Sequence, residues 1–168
     1  MPVDGTTRRV AIATPVYKPG LTPDEELSLG RALEVLARYD HYLVAPRGLD
    51  LSVYQALFQR YGKTLRVRWF DGRCFGSLQA YCRLLNTGSF YRAFRNYEFL
   101  LIYQLDCYVF RDELLDWCRR GYDYIGAPWF RRYDHAAPTD EMIGMGNGGL
   151  SLRRVPAARR ALRRYHLA

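Results

Sequence analysis

The sequence "YEFLLIYQLDCYVF", residues 97–110, decides the fold class because it joins a long apolar run to a carboxylate. The run from Phe99 to Tyr103 has the composition of a strand that is buried on both faces of a sheet. Asp106 follows three residues after the end of this run. Since an unpaired carboxylate in apolar surroundings costs several kcal/mol, we expect a cation, a hydrogen-bond donor or a metal ion to compensate Asp106.

Apolar and amphipathic segments alternate on both sides of this strand. Strands are predicted at 8–17, 41–46, 64–70, 97–106 and 122–130, and a glycine-rich turn that leads into a strand at 146–154. Helices are predicted at 22–39, 51–62, 75–96, 111–121 and 155–168. The first helix has Thr22 as a candidate N-cap and Pro23 at its first position. The alternation predicts an α/β fold of one domain, in which helices cover both faces of a mainly parallel sheet.

The position of Asp106 makes it a candidate site residue. In such sheets ligands bind at the carboxyl ends of the strands, so an acid at the end of a central strand faces the crevice. One interpretation is a carboxylate that holds a divalent cation, Mn²⁺ or Mg²⁺, on the phosphates of a nucleotide, because hard cations prefer oxygen ligands. The alternative is a carboxylate that caps the helix predicted near Arg111 or pairs with a core arginine. The pattern leaves both open.

A second candidate segment is "ATPVYKPG", residues 13–20, at the end of the first strand. A loop fixed by Pro15 and Pro19 can hold a flat base against Tyr17 and place Lys18 near phosphate, with Val16 between them. An ordinary turn is the alternative. The segment lacks the glycine signatures of dinucleotide-binding and P-loop proteins.

A third candidate segment is the glycine-rich stretch "GMGNGGLSLR", residues 144–153. Gly148 and Gly149 allow the backbone to come within contact distance of a ligand, and Asn147 offers a donor and an acceptor for sugar hydroxyls. The alternative is a hairpin or bulge turn.

The polar loop predicted at 131–145 precedes this stretch and carries Asp134, His135, Asp140 and Glu141. One of these groups could serve as a general base. The alternative is a solvated loop without a catalytic role.

The charge is unevenly distributed along the chain. Residues 1–152 hold 19 basic and 17 acidic side chains, whereas residues 153–168 hold six arginines and no acid. Such a tail could contact anionic lipid or a phosphate-rich acceptor, or form the solvated face of a last helix. The near balance elsewhere and the lack of a nucleic-acid-binding motif argue against nucleic acid. With no leader-like or membrane-spanning apolar segment, we expect a cytoplasmic location.

Five stretches taken in order resemble a known family. They are "VAIATPVYKP", "HYLVAPRGLDLSVY", "FLLIYQLDCYVFRDEL", "WCRRGYDYIGAPWF" and "GNGGLSLRR". Together, over about residues 9–156, they resemble the bacterial family of domain of unknown function 5672 (DUF5672), whose members look like GT-A glycosyltransferases. Several motifs in series are more specific than any one of them.

The resemblance implies a Rossmann-like, GT-A-type domain at 8–156 that transfers sugar from a nucleotide-sugar donor to a hydroxyl of a carbohydrate or lipid-linked acceptor, in envelope polysaccharide assembly. It implies that Pro15, Val16 and Tyr17 hold the nucleotide. Asp106 would stand at the metal-binding acidic motif, and Gly148 and Gly149 would line the donor sugar and acceptor.

Two departures from the GT-A pattern bear on this expectation. The second acid of the metal-binding motif is replaced by Tyr108, so a one-acid metal site and a metal-independent reaction are both open. No acid follows Glu141, so the base lies either in the 131–141 loop or beyond the basic C-terminal helix at 157–168. The alternative function is a catalytically silent domain that binds a nucleotide-sugar or carbohydrate.

Overall fold

A computed structural model describes residues 8–131 and 140–165. The elements follow one another as β1 (Arg8–Pro15), α1 (Pro23–Val35), β2 (Asp40–Pro46), α2 (Ser52–Arg60), β3 (Arg66–Phe70), a 3-10 helix (Gly72–Phe75), α3 (Leu78–Leu84), α4 (Gly88–Arg92), β4 (Tyr97–Tyr103), α5 (Leu114–Arg119), β5 (Tyr124–Phe130), β6 (Met142–Arg154) and α6 (Val155–Tyr165). The elements form one α/β domain, which confirms that part of the prediction.

The sheet is mixed, with the strand order β3-β2-β1-β4-β6-β5. In the parallel half, β1 pairs with β2 and β4, and β2 pairs with β3, all in parallel. In the antiparallel half, β6 runs against both β4 and β5. The prediction of a mainly parallel sheet therefore describes the parallel half alone. The reason is that β5 and β6 are consecutive and pair with each other, which reverses the chain direction.

Burial on both faces of β4 agrees with its apolar sequence. Leu100 and Ile102 pack on one face with the α4 residues Phe90 and Tyr91 and with the start of α6. Phe99 and Leu101 pack on the other face with buried residues of α1 and α5. The core therefore lies in two layers, above and below the central strands.

The start of α1 matches the prediction. The Glu25 amide donates to Thr22 Oγ1 at 3.3 Å, and the Thr22 amide donates to Glu25 Oε2 at 2.8 Å. This reciprocal capping box, with Pro23 behind Thr22, fixes where the helix begins.

The glycine-rich stretch differs from the prediction. Residues 142–145, predicted as loop, and 146–149, predicted as a turn, all belong to the long strand β6. They are extended because they pair with β5, as in the pair Trp129 and Gly144. The pairing is irregular, with register shifts on β5 between Gly126 and Pro128, and Gly146 has φ of 127°. The glycines here allow the irregular backbone of a bulged strand pairing and do not form a hairpin turn.

Two other features complete the fold. The segment predicted as helical at 75–96 consists of the end of the 3-10 helix, α3 and α4, and Gly88 begins α4. Among the described residues, no helix combines the length and apolar composition needed to cross a bilayer.

Candidate functional site

A pocket of about 500 Å³ lies at the carboxyl ends of β1 and β4. Its lining includes five of the predicted site residues: Pro15, Val16, Tyr17, Lys18 and Asp106. Segments about 90 residues apart in sequence thus meet at one pocket, at the edge of the sheet where α/β proteins bind ligands.

The loop after β1 is held by hydrogen bonds to its neighbours. The Val16 amide donates to the Val44 carbonyl at 2.9 Å, and the Tyr54 hydroxyl donates to the Lys18 carbonyl at 2.9 Å. Burial raises the pKa of Tyr54 to about 12, so its hydroxyl keeps its proton for this bond. Tyr17, which is 65% exposed, therefore extends its ring from an ordered loop.

An ion pair lies in the pocket beside this loop. Lys18 Nζ is 2.8 Å from Glu25 Oε2, and this hydrogen bond raises the pKa of Lys18. Burial acts to raise the pKa of Glu25, but hydrogen bonds from Lys18 and Thr22 outweigh it, and the pKa is lowered. Among the described residues that line the pocket, Lys18 is the only cation.

Asp106 lies in a turn that follows β4. The Cys107 amide donates to the Gln104 carbonyl at 3.1 Å, which closes the turn. The Cys107 carbonyl accepts hydrogen bonds from Ser28 Oγ at 2.6 Å and from the Tyr103 hydroxyl at 2.9 Å. Residues of α1 and β4 thereby fix the turn that carries the carboxylate.

Asp106 is exposed, which corrects the expectation of apolar surroundings. Of the expected compensating groups the structure shows a hydrogen-bond donor, since Cys107 Sγ donates to Asp106 Oδ1 at 3.6 Å. Within residues 8–131 and 140–165, no ion pair joins Asp106 to an arginine. Asp106 does not cap α5 either, because the N-cap residue of that helix is Glu113, and the Leu114 amide donates to Asp112 Oδ1 at 3.1 Å. Burial, with the adjacent charge of Asp106, raises the pKa of Cys107 to about 12. The Cys107 thiol is therefore protonated and is not a nucleophile.

A single carboxylate limits the kind of metal site that could form. No group of three or more His, Cys, Asp or Glu side chains that could hold a metal occurs in the described part of the chain. Mg²⁺ is often bound by one or two carboxylates together with substrate phosphates and water. Asp106 therefore fits a cation that arrives with a diphosphate, and does not form a site complete in protein ligands.

Tyr108, at the position of the missing second acid, faces a different pocket. It lines an apolar groove of about 690 Å³ together with Phe110, Trp117 and Leu152. The rings of Tyr108 and Phe110 contact edge to face, with centroids 5.2 Å apart. An acid at position 108 would thus point into this groove.

The predicted residues Asn147, Gly148 and Gly149 adjoin the pocket at Gln104, one of its lining residues. The Gln104 amide donates to the Gly149 carbonyl at 2.9 Å, and a Cβ at Gly149 would lie 2.6 Å from Gln104 Oε1. The Gly149 amide donates to Asn147 Oδ1 at 2.9 Å, and within the described residues the side-chain nitrogen of Asn147 is left for a ligand. A side chain at position 149 would displace the end of the Gln104 side chain.

Of the predicted acids of the 131–145 loop, the two that the structure describes, Asp140 and Glu141, are not among the residues that line the pocket. Glu141 Oε2 pairs with Arg131 Nη2 at 2.8 Å at the far end of the β5–β6 hairpin. Asp140 lies beside it, and Asp134 and His135 fall outside the described residues. The assignment of the general base stays a prediction.

Sequence reasoning missed several residues that line the pocket, including Glu25, Tyr54, Phe75, Tyr81 and Gln104. Gln104 could have been found, since it follows β4 directly, as Asp106 does. Phe75 and Tyr81 come from the 3-10 helix and α3, where no sequence signal distinguishes a pocket wall from core.

A comparison with protein-family models gives a match. The sequence model of a family described as "Protein of unknown function (DUF5672)" matches residues 64–168, more than half of the chain. The matched region includes β4, the turn with Asp106 and β6. A search of curated proteins finds no significant match.

Proposed function

This chain belongs to the DUF5672 family, and from that premise we propose that it is a GT-A-like glycosyltransferase. It would transfer a sugar from a nucleotide-sugar donor to a hydroxyl of a carbohydrate or lipid-linked acceptor. The observation that supports this proposal is the pocket in which the loop with Tyr17 and Lys18 meets the turn with Asp106.

Donor binding follows from the positions of these side chains. The exposed ring of Tyr17 offers a stacking face for the base. Lys18 would exchange Glu25 for the diphosphate oxygens, because the ammonium already lies inside the pocket. Asn147 and Gly149, beside Gln104, would contact the sugar hydroxyls.

Asp106 would hold a divalent cation, Mn²⁺ or Mg²⁺, together with the diphosphate oxygens. When bound there, the cation neutralises the negative charge of the leaving diphosphate. The turn hydrogen bonds from Ser28 and Tyr103 would keep the carboxylate directed at this position.

In the transfer itself, the bond between the anomeric carbon and the diphosphate breaks and a bond to the acceptor oxygen forms. The hydroxyl proton passes to a base, and such a base typically contributes about 10²- to 10⁴-fold in rate. Asp134, Asp140 and Glu141 are the candidates from the sequence. Asp140 and Glu141 come directly before β6, and Asp134 lies outside the described residues.

We further propose that the reaction occurs in the cytoplasm, in envelope polysaccharide assembly. Arg160, Arg163 and Arg164 of α6 are exposed, so they are available to an anionic membrane surface that carries a lipid-linked acceptor. Nucleic acid is not expected as a partner, since the positive charge is concentrated at one end of the chain.

The test is a thermal-shift panel of UDP-, GDP- and CMP-sugars with and without Mn²⁺. We expect one nucleotide class to raise the melting temperature, and more so with the metal. Asp106→Asn should remove the metal-dependent part. Asp116→Asn, an equivalent change in an exposed pair with Arg119, should keep it. No shift with any nucleotide-sugar would count against the proposal.

A second candidate function is a silent binding domain for the same ligands. Within the described residues, the pocket lining contains two acids, Asp106 and Glu25. Glu25 is paired with Lys18 and Asp106 is assigned to the cation, so neither is left to act as the general base, which favours binding without catalysis. A donor hydrolysis and transfer assay separates the two functions. Ligand-induced stabilisation without turnover, unchanged by replacing Asp134, Asp140 or Glu141, would support binding alone.

A further inference from the structure

Arg153 is a buried cation that has no anionic partner among the residues that the structure describes. Its side chain is 7% exposed, although the sequence pattern had placed it in a basic tail. Its Nε donates to Ser151 Oγ at 3.0 Å and its Nη1 donates to the Tyr91 hydroxyl at 2.9 Å. In the described ranges no carboxylate lies within ion-pair distance of it. A buried charge in this state costs free energy unless an anion completes the site.

The neighbouring Arg154, by contrast, has carboxylate partners. Arg154 points to the opposite face and pairs with Glu98 at 3.4 Å and Asp123 at 3.7 Å. Both arginines come from the same run of β6, so composition does not explain the difference. Arg153 is held in place by neutral groups, including the ring of Tyr124, whose centroid is 5.4 Å from its Cζ.

The structure leaves room beside the free end of this guanidinium. A Cβ at Gly148 would lie 3.2 Å from Arg153 Nη2, so glycine keeps that side open. Nη2 has no hydrogen-bond partner among the residues of the described ranges. The Nη2 group of Arg153 therefore has unused N–H donors on the side where Gly148 and Gly149 adjoin the pocket.

A second unused group lies nearby in the pocket wall. Tyr81 lines the pocket, and its buried hydroxyl has no hydrogen bond of good geometry within the described part of the chain. Burial raises the pKa of Tyr81 to about 12, while the nearby Gln104 amide and the charge of Arg153 act in the opposite direction. The hydroxyl is therefore a neutral donor close to an uncompensated cation.

We propose that Arg153 and the Tyr81 hydroxyl form a recognition site for an anionic group, a carboxylate or a phosphate, on the ligand that binds over Gly148 and Gly149. This inference rests on the proposed function, because that function supplies the sugar that carries the anionic group. The donor or acceptor would then be an acidic or phosphorylated sugar. An anion is required because a neutral hydroxyl would leave the charge of Arg153 uncompensated.

Calorimetric titration of the whole chain tests the site with probes paired by charge. UDP-glucuronate is compared with UDP-glucose for the carboxylate, and glucose 6-phosphate with glucose for the phosphate. We expect one anionic probe to bind at least about tenfold more tightly than its neutral counterpart, as a charge-assisted hydrogen bond allows. Arg153→Met should abolish that preference, and Tyr81→Phe should reduce it.

Two matched substitutions keep the test valid if Arg153→Met fails to fold. Gly148→Ala retains the guanidinium but fills the space beside Nη2, so it should remove the preference. Gly144→Ala, in the same strand, places a Cβ with nothing within 4 Å and should retain it. Arg154→Met should also retain it, because that side chain faces Glu98 and Asp123.

The outcomes also separate this inference from the transferase proposal. Equal affinity for charged and neutral probes, or a preference that survives both Arg153→Met and Gly148→Ala, overturns the anion site even when UDP-sugars bind. An Arg153-dependent preference for glucose 6-phosphate over glucose supports the anion site even when no nucleotide-sugar binds and the transferase proposal fails.

Discussion

The two halves of the sheet are built differently. In the parallel half, Ile12 and Leu43 are fully buried and the strands pair in regular register. In the antiparallel half, β5 and β6 pair with several register shifts, and Ile143 and Met145 are more than half exposed. The difference in burial and in strand register shows that the residues which the two halves contribute to the pocket are held with unequal rigidity.

The parallel half holds its pocket residues in fixed positions, and the antiparallel half contributes polar and charged groups from a less regular backbone. Pro15 and the turn with Asp106 follow directly from the ends of β1 and β4, which the core fixes. Gly149 and Arg153 lie on β6, in or next to an irregular ladder with glycine at several positions. Substitutions in the two halves should therefore have unequal effects on stability.

The largest effect is expected for core truncation in the parallel half. Leu43→Ala removes a fully buried side chain from β2 and should lower the free energy of unfolding by about 2–5 kcal/mol. Ile143→Ala in β6, at a residue that is 58% exposed, should change it by less than about 0.5 kcal/mol. Urea denaturation measures both. Equal losses would mean that the hairpin is as tightly packed as the core.

Gly126→Ala tests the close approach of β5 and β6. The new Cβ would lie 2.8 Å from Gly146 Cα and 2.9 Å from the Asn147 carbonyl oxygen, so the backbone must shift, at a cost of about 1–3 kcal/mol. Gly144→Ala meets nothing within 4 Å and is the matched control. Thermal unfolding compares them, and similar melting temperatures for both variants would contradict the prediction.

Tyr103→Phe tests the support of the Asp106 turn. It removes the hydrogen bond of 2.9 Å to the Cys107 carbonyl and should cost about 1 kcal/mol. It should also speed hydrogen exchange of the Cys107 amide, which closes the turn. Tyr122→Phe, at a hydroxyl before β5 on a residue that is 59% exposed, serves as control. Unchanged exchange in Tyr103→Phe would show that Ser28 alone holds the turn.

The smallest effect is a pH dependence in the parallel half. Burial lowers the pKa of His41 below its ordinary 6.5, partly offset by the hydrogen bond to the Leu36 carbonyl, and Lys63 lowers it further. The unfolded chain therefore binds a proton at a pH where the folded chain does not, and stability falls as pH drops below 6.5. Between pH 7 and 6 we expect a loss of at most about 0.7 kcal/mol.

His41→Gln should flatten this pH profile in urea denaturation. Arg153→Met, which replaces a buried side chain of the antiparallel half and leaves His41 in place, should leave the slope unchanged. The same slope in wild type and His41→Gln would assign the pH dependence to other groups.

Sequence reasoning predicted the parallel half well because its signals are local. The apolar run of β4, the N-cap at Thr22, and the two strand ends that meet at the pocket were all predicted from the sequence. The DUF5672 family, inferred from motifs in series, is confirmed by the match over residues 64–168. The GT-A likeness stays a prediction.

The antiparallel half was predicted poorly because its structure depends on partners distant in sequence. Glycines in β6 indicate a turn until β5 is known to pair with them. The burial of Arg153 depends on Tyr91 of α4, 62 residues earlier in the chain. Charge composition therefore placed this arginine in a solvated tail.

The dual use of Glu25 links the pocket to the first turn of α1. One oxygen, Oε2, accepts from the Thr22 amide and also from Lys18 Nζ. When a phosphate binds Lys18 Nζ in place of Glu25, the Glu25 carboxylate keeps only its hydrogen bond from the Thr22 amide at the start of α1. The amide resonances of Thr22 and Glu25 would then report occupancy, which makes the end of this helix an intrinsic spectroscopic sensor for ligand.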